Sequence, residues 1–197
     1  MDFSEYQQTF LDILADARPG APYNHADYLN YTKLNWYRQQ RWLKTGVLLQ
    51  ELVHLITNLD REQIWTVITE PWCGDSAHTL PFIHLLSKLN PLIKVDYQLR
   101  DAPPFLINAY RTNGSKSIPK LIIKVRGYTI GTWGARPTEC QLLYNRLVRD
   151  HTGTERERMA IQQWYNADKG ASFQMELLTI IINSTNRKAF SSEWKLP

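Results

Sequence analysis

The sequence is poor in cysteine: Cys73 and Cys140 are the two thiols in 197 residues, and they stand far apart. Neither they nor the five scattered histidines show the spacing of a metal-ligand set. Two such cysteines fit free thiols in a reducing compartment, the cytoplasm, better than a disulfide framework. No apolar run suggests a membrane span, and the acidic, amphipathic opening MDFSEYQQTFLDILADARPG resembles neither a signal peptide nor an anchor. Charge of one sign is also missing. The 23 cationic and 19 anionic side chains are interspersed, which leaves no concentrated basic face for nucleic acid. Repeats and low-complexity segments are absent. What is present is a folded composition, 43% hydrophobic and 12% aromatic, in a chain long enough for one core-bearing domain with additions.

The first part of the chain reads as helical. Phe3, Tyr6, Phe10, Ile13 and Leu14 recur at helical spacing over Asp2 to Ala17, and the run ARPGAPYN ends that helix. Two more helices are expected over Asp27 to Lys44 and Val47 to Leu59. The first of these contains KLNWYRQQRWLK, with four cations among two Trp and a Tyr, read as a solvated basic side and an aromatic inner side. At Gln63 the period changes to a buried strand, QIWTVIT, which runs through Glu70 and Pro71 into a cysteine motif. A helix kinked at Pro81 follows, then a strand over Leu92 to Leu99 and a helix over Pro103 to Thr112 ended by Asn113-Gly114. Next come a hairpin from Pro119 to Trp133 turning at Arg126-Gly127, and a helix to about Asp150 with Thr138 as its cap. Thr154 and Glu157 have capping-box spacing for a further helix, and after Gly170 the run Met175 to Ile182 suits either a helix or a strand.

The motif EPWCGDSA stands at the first strand-to-helix junction of a strand, helix, strand, helix, hairpin, helix order. Three landmarks stand at consistent spacing: Trp72-Cys73-Gly74 opening a helix, Pro81 eight positions after the cysteine, and Ile118-Pro119 opening the hairpin strand. With these, residues 60–150 resemble the thioredoxin superfamily, and the W-C-G-D-S form is similar to a thioredoxin-like family with one active-site cysteine and an N-terminal helical extension. The resemblance implies an α/β, thioredoxin-like fold, a central mixed sheet flanked by helices. Residues 1–59 would form an N-terminal helical extension and residues 151–197 a mostly helical C-terminal one. It also implies that Pro119 is cis, that Cys73 and Ser76 occupy the reactive positions, and that Trp72, Gly74, Asp75, Ile118 and Pro119 line the substrate groove.

A thiol at the first turn of a helix faces unpaired N–H groups and the positive end of the helix dipole, which favour thiolate. Asp75 opposes that by placing a carboxylate beside it. Ser76 can donate to the sulfur but cannot resolve a mixed disulfide. Where dithiol relatives carry a buried aspartate six positions before the cysteine, this chain has Val67, so the proton-transfer group is missing as well. Glu70 is read as a strand-end surface acid, His78 as a helix-surface histidine, and His84 as without a role. Cys140 is read as a small apolar core residue, remote from the motif.

Three functions remain open. In the first, Cys73 is the nucleophile of a monothiol thiol-disulfide oxidoreductase and forms mixed disulfides that an external thiol resolves. Its partners would be a disulfide-containing protein or a low-molecular-weight thiol such as glutathione, with no cofactor. The second is a non-enzymatic binding module holding an extended peptide against the main chain of Ile118. The third is glutathione or cluster binding in the manner of monothiol glutaredoxins, whose C-G-F-S form is absent here.

Overall fold

The structure is a computed structural model that describes residues 1–192, with side chains through residue 184. The end of the expected C-terminal segment, residues 193–197, lies outside the described residues. The described elements are α1 (Phe3–Ala15), α2 (Ala26–Thr45), α3 (Gln50–Thr57), β1 (Gln63–Thr69), α4 (Gly74–Ser87), β2 (Ile93–Leu99), a short 3-10 turn (Leu106–Ala109), β3 (Lys120–Val125), β4 (Tyr128–Trp133), α5 (Thr138–Arg149), α6 (Thr154–Asp168) and α7 (Ala171–Ser192).

The strands form one mixed sheet in the order β2-β1-β3-β4, in which β1 pairs parallel with β2 and antiparallel with β3. β3 and β4 form the expected hairpin, with a register shift at Ile123/Lys124. The parallel pair requires a crossover, which α4 supplies. Side chains alternate across β1 and β3. Trp65, Val67, Leu121 and Ile123 face the main core, whereas Ile68 and Ile122 face a smaller one that also holds Cys73, Ile107 and Ile118. The candidate thiol thus belongs to the minor core on the opposite side of the sheet from most of the apolar packing.

α4 is buried along nearly its whole length, from Asp75 to Ile83, polar and apolar residues alike. Its polar side is covered by α2, which packs along it. The inner face of α2 is itself unusual, since Thr32, Asn35, Gln39 and Trp42 recur at helical spacing and all are buried. Asn35 shows why: its amide donates to the Pro71 carbonyl at 3.0 Å, pinning the loop that carries the motif. The aromatic inner side expected of this helix holds for Trp42 but not for Tyr37, which is 61% exposed, and the polar residues that make up the rest of the buried face were not marked.

Several boundary expectations need correcting. The expected helix over Pro103 to Thr112 is only the turn Leu106–Ala109. Pro103 and Pro104 supply no N–H, proline restricts the residue before it, and Phe105 takes a left-handed conformation at φ 55, so helix cannot propagate from that side. Thr138 is the first residue of α5 and caps nothing; its N–H donates at 2.7 Å to the Glu176 carboxylate of α7. Thr154 is likewise the first residue of α6, behind an N-cap Gly153 at φ 88, and no capping box forms. The run Met175 to Ile182 is helical, and Lys169 and Gly170, both at positive φ, separate α7 from α6.

Candidate functional site

Cys73 is the N-cap of α4, as the motif predicts. Its thiol donates to the carbonyl of Ile118 at 3.4 Å, and the Ile118-Pro119 bond is cis. The structure therefore brings together two landmarks that lie 45 residues apart in the chain. Trp72 packs on the same small core, with the Arg100 guanidinium 4.7 Å from its ring centroid and Tyr28 edge-on at 5.6 Å. Ser76 is fully buried and its hydroxyl makes no hydrogen bond to an oxygen or nitrogen, but it lies near enough to the sulfur to favour thiolate, as does its backbone N–H.

Those influences lose. Burial first, and the Asp75 carboxylate second, push the Cys73 thiol up to about 11, against the pull of Ser76 and Arg136. The helix N-terminus does not prevail, because Cys73 is only 6% exposed and shares its surroundings with a fixed anion. Cys73 rests as a thiol.

Asp75 is the most heavily bonded group of the site. Arg136, from the segment between β4 and α5, reaches its two oxygens at 3.0 and 2.9 Å, and the phenol of Tyr165 in α6 donates to Oδ1 at 2.9 Å. Burial raises the carboxyl above its ordinary value, while Arg136 and Tyr165 pull it back. Three donors on one side chain are the bonds that a carboxylate accepts.

His78 is not a surface histidine. It is buried, accepts at Nδ1 from the Trp42 indole at 2.9 Å, and so carries its proton on Nε2, which faces the Gln162 carbonyl oxygen at 3.1 Å. Its ring stacks on Tyr165 with centroids 4.4 Å apart. Burial, with Arg38 adding repulsion, pushes it down to about 3, so it is neutral and lends the thiolate no charge.

Glu70 is not a surface acid either. Its carboxylate is buried and accepts the Asp101 N–H at 2.9 Å, tying the end of β1 to the end of β2. Val67 is fully buried in the main core, and His84 stacks on Phe3 at 4.0 Å, away from the site. Cys140 is buried as expected, but it is not remote. Burial pushes its thiol up to about 12, and the Asp75 carboxylate adds to the shift. Both cysteines are free.

A cavity of ≈540 Å3 opens at this point, walled by Trp72, Cys73, Asp75 and Ile118 from the core, by Tyr28, Tyr31 and Arg38 from α2, and by Arg158, Gln162 and Tyr165 from α6. Two helices from opposite ends of the sequence order, α2 before the sheet and α6 after it, are therefore walls of the site. Sequence reasoning missed Arg38, Arg136 and Tyr165. The basic, aromatic run around Arg38 was a signal, but Arg38 is half-buried and its Nη1 lies 3.6 Å from where a side chain on Gly74 would begin. Nothing in the sequence marked Arg136 or Tyr165, which meet Asp75 across 61 and 90 residues. Among the described residues no cluster of His, Cys, Asp and Glu has the arrangement of a metal site, and no helix is long and apolar enough to cross a membrane.

Comparison with known proteins gives the family. A family model described as thioredoxin matches residues 22–156, and the chain belongs to that family; its mixed sheet flanked by helices is a thioredoxin-like α/β fold. The match starts within the segment that the sequence treats as an N-terminal extension. Among solved structures, the crystal structure of an HIV epitope scaffold is similar over 93% of this chain and 99% of its own, at 16% identity and a TM-score of 0.53. A protein of unknown function from Pseudomonas aeruginosa is similar over 87% of this chain and 99% of its own, at 15% identity and a TM-score of 0.46. No curated protein matches.

Proposed function

We propose that this member of the thioredoxin family, in its single-cysteine W-C-G-D-S form, carries out monothiol exchange at Cys73. The observation that carries the reading is the position of the sulfur: at the N-cap of α4, 3.4 Å from the carbonyl that precedes cis-Pro119, on the wall of the cavity. Cys73 loses its proton to water, and the thiolate attacks one sulfur of a disulfide RSSR. A Cys73–S–S–R bond forms as the S–S bond of RSSR breaks, and the released thiolate takes a proton from solvent. A second, external thiol R′SH then gives up its proton and attacks the R sulfur of the adduct. RSSR′ leaves and Cys73 is reprotonated, so the sum is RSSR + R′SH → RSSR′ + RSH. The external thiol does the work of the resolving cysteine that Ser76 replaces, and a reducing compartment such as the cytoplasm would supply it.

A thiol held at about 11 leaves on the order of one molecule in ten thousand as thiolate at pH 7. Exchange by the resting structure is therefore slow. The same fact supports a second reading, in which the cavity binds its partner non-covalently and the thiol is part of the wall. Oxidised glutathione and peptide mass spectrometry separate the two. Exchange predicts an adduct on Cys73 that Cys73→Ser abolishes and Cys140→Ser leaves intact. Equal labelling of both cysteines, or of neither, favours the wall.

A further inference from the structure

The Cys73 thiol does not face a free surface. α2 and α6 meet beside it, the Arg158 guanidinium lying 4.8 Å from the Tyr31 ring centroid and Arg41 donating to Asn166 at 2.8 Å. Ile118 is 5% exposed, and the carbonyl with which an added strand would pair already accepts from Cys73. Strand addition needs an open edge, whereas ≈540 Å3 lies within the range of small-molecule sites, roughly 300–1,000 Å3.

The charges in the cavity are unequally committed. Four guanidinium groups line it. Arg136 is paired with Asp75, and Arg100 with Asp101 at 2.6 Å. Arg38 and Arg158 have no carboxylate within 4.0 Å among the described residues. Arg38 donates to the neutral Asn35 side-chain oxygen at 2.9 Å. The acids of the cavity are accounted for locally: Asp75 by its three donors, Asp27 and Glu157 by their places in the first turns of α2 and α6, where the helix dipole favours a carboxylate. Arg38 has no such account. It lies in the middle of α2, half-buried, with its guanidinium against Gly74. Asp75 acts on Arg38 only from beyond 4.0 Å and is already bonded to Arg136, so a partly desolvated cation facing the cavity with no carboxylate in contact is stabilised by an anion entering that space.

We propose that the cavity admits a small organic acid and excludes polypeptides, with the ligand's carboxylate on Arg38, Arg158 adding charge from the α6 wall, and the ligand's body against Trp72 and Tyr28. The inference names a substrate class for the exchange reading, but binding itself needs no reactive thiol, so the two fail separately.

The test uses the full chain and adipate, a dicarboxylate without a disulfide, with binding followed by calorimetry on the native and Cys73→Ser proteins. Both should bind it; Arg38→Gln should weaken binding about 10-fold to 100-fold, the range expected for losing a charge-assisted contact, and Arg158→Gln, which removes a more exposed charge, by a smaller factor. In parallel, 3,3′-dithiodipropionate, bis(2-hydroxyethyl) disulfide and cystamine are compared at Cys73, each rate divided by that of the same disulfide with free cysteine. The anionic reagent should be favoured over the cationic one by at least about tenfold, and salt or Arg38→Gln should erase the difference. Adipate that does not bind, or that binds equally well to both arginine variants, overturns the anion site. A disulfide-linked polypeptide reacting as fast as dithiodipropionate overturns the enclosure. If no disulfide reacts while adipate binds and depends on Arg38, the exchange reading falls and the anion site stands.

Discussion

Tyr165 donates its phenolic hydrogen to Oδ1 of Asp75 at 2.9 Å, across 90 residues of chain. One hydrogen bond thereby couples α6 to the turn that carries the thiol, and it does so through a buried acceptor. Tyr165→Phe leaves the ring and its stack on His78 in place but removes a donor from a buried carboxylate. A loss of about 1–3 kcal/mol in urea unfolding is expected. An unchanged midpoint would mean that Arg136 alone satisfies Asp75.

Asp75 is the second cause, after burial, of the raised Cys73 value. Asp75→Asn should lower the midpoint of Cys73 alkylation by about one unit, which is about tenfold in rate at neutral pH, while leaving it above an ordinary thiol. The midpoint of Cys140, which Asp75 also raises, should fall too. The same variant strands the Arg136 guanidinium, and a stability loss of about 3 kcal/mol accompanies the gain in reactivity. Peptide-resolved alkylation against pH reads the first effect and urea unfolding the second.

His78 is neutral in the fold and held at about 3, against 6.5 when free. Its folded value is depressed, so the stability it contributes is complete above pH 6.5 and drains away as pH falls from there toward 3. Unfolding midpoints measured downward from pH 7 should show this loss in the native protein, whereas the curve of His78→Gln should be flatter over the same window. Parallel curves would mean that other groups set the acid response.

Ser76 stands one turn after Cys73, buried, its hydroxyl unpaired with any oxygen or nitrogen. Ser76→Cys should oxidise to an internal disulfide joining the new thiol to Cys73 and give the chain dithiol chemistry without an external resolving thiol. Mass spectrometry of the oxidised variant and turnover of a test disulfide read the two effects. If the disulfide forms but does not turn over, the missing carboxylate at Val67 becomes the limiting feature.

Gly170 holds φ +82 between α6 and α7, and a Cβ there would overlap the Phe82 ring in α4. Gly170→Ala carries both a backbone and a packing penalty, expected to exceed about 1 kcal/mol in urea unfolding. Gly127→Ala, at φ +81 in the hairpin turn with open space around it, serves as the comparison, since it bears the backbone term alone.

The sequence discloses what is decided locally. β1 spans the residues expected, Gln63–Thr69, because a run of β-branched and aromatic side chains has few other uses. The cysteine, the kinking proline and the cis proline announce the frame, since each is tied to a fixed spacing. Cap positions shift by a residue where Glu176, supplied by another helix, replaces a local partner for Thr138. The site was legible only for the residues that the motif contains. Arg38, Arg136 and Tyr165 join it through contacts that no periodicity encodes, and the burial of His78 and Glu70 follows from elements far along the chain. Polar residues on a helix look solvated until another helix covers them.

The walls around the thiol are residues 26–45 and 154–168, and synthesis runs from one to the other. A growing chain can pair β1 with β2 and set Cys73 at the head of α4 well before α6 has left the ribosome. During that interval Asp75 lacks its Tyr165 donor and the cavity lacks its α6 wall. A disulfide that meets the nascent chain therefore meets a thiol walled on one side only, by α2 with Arg38, whereas in the finished protein the cavity lies between two helices that were made far apart in time.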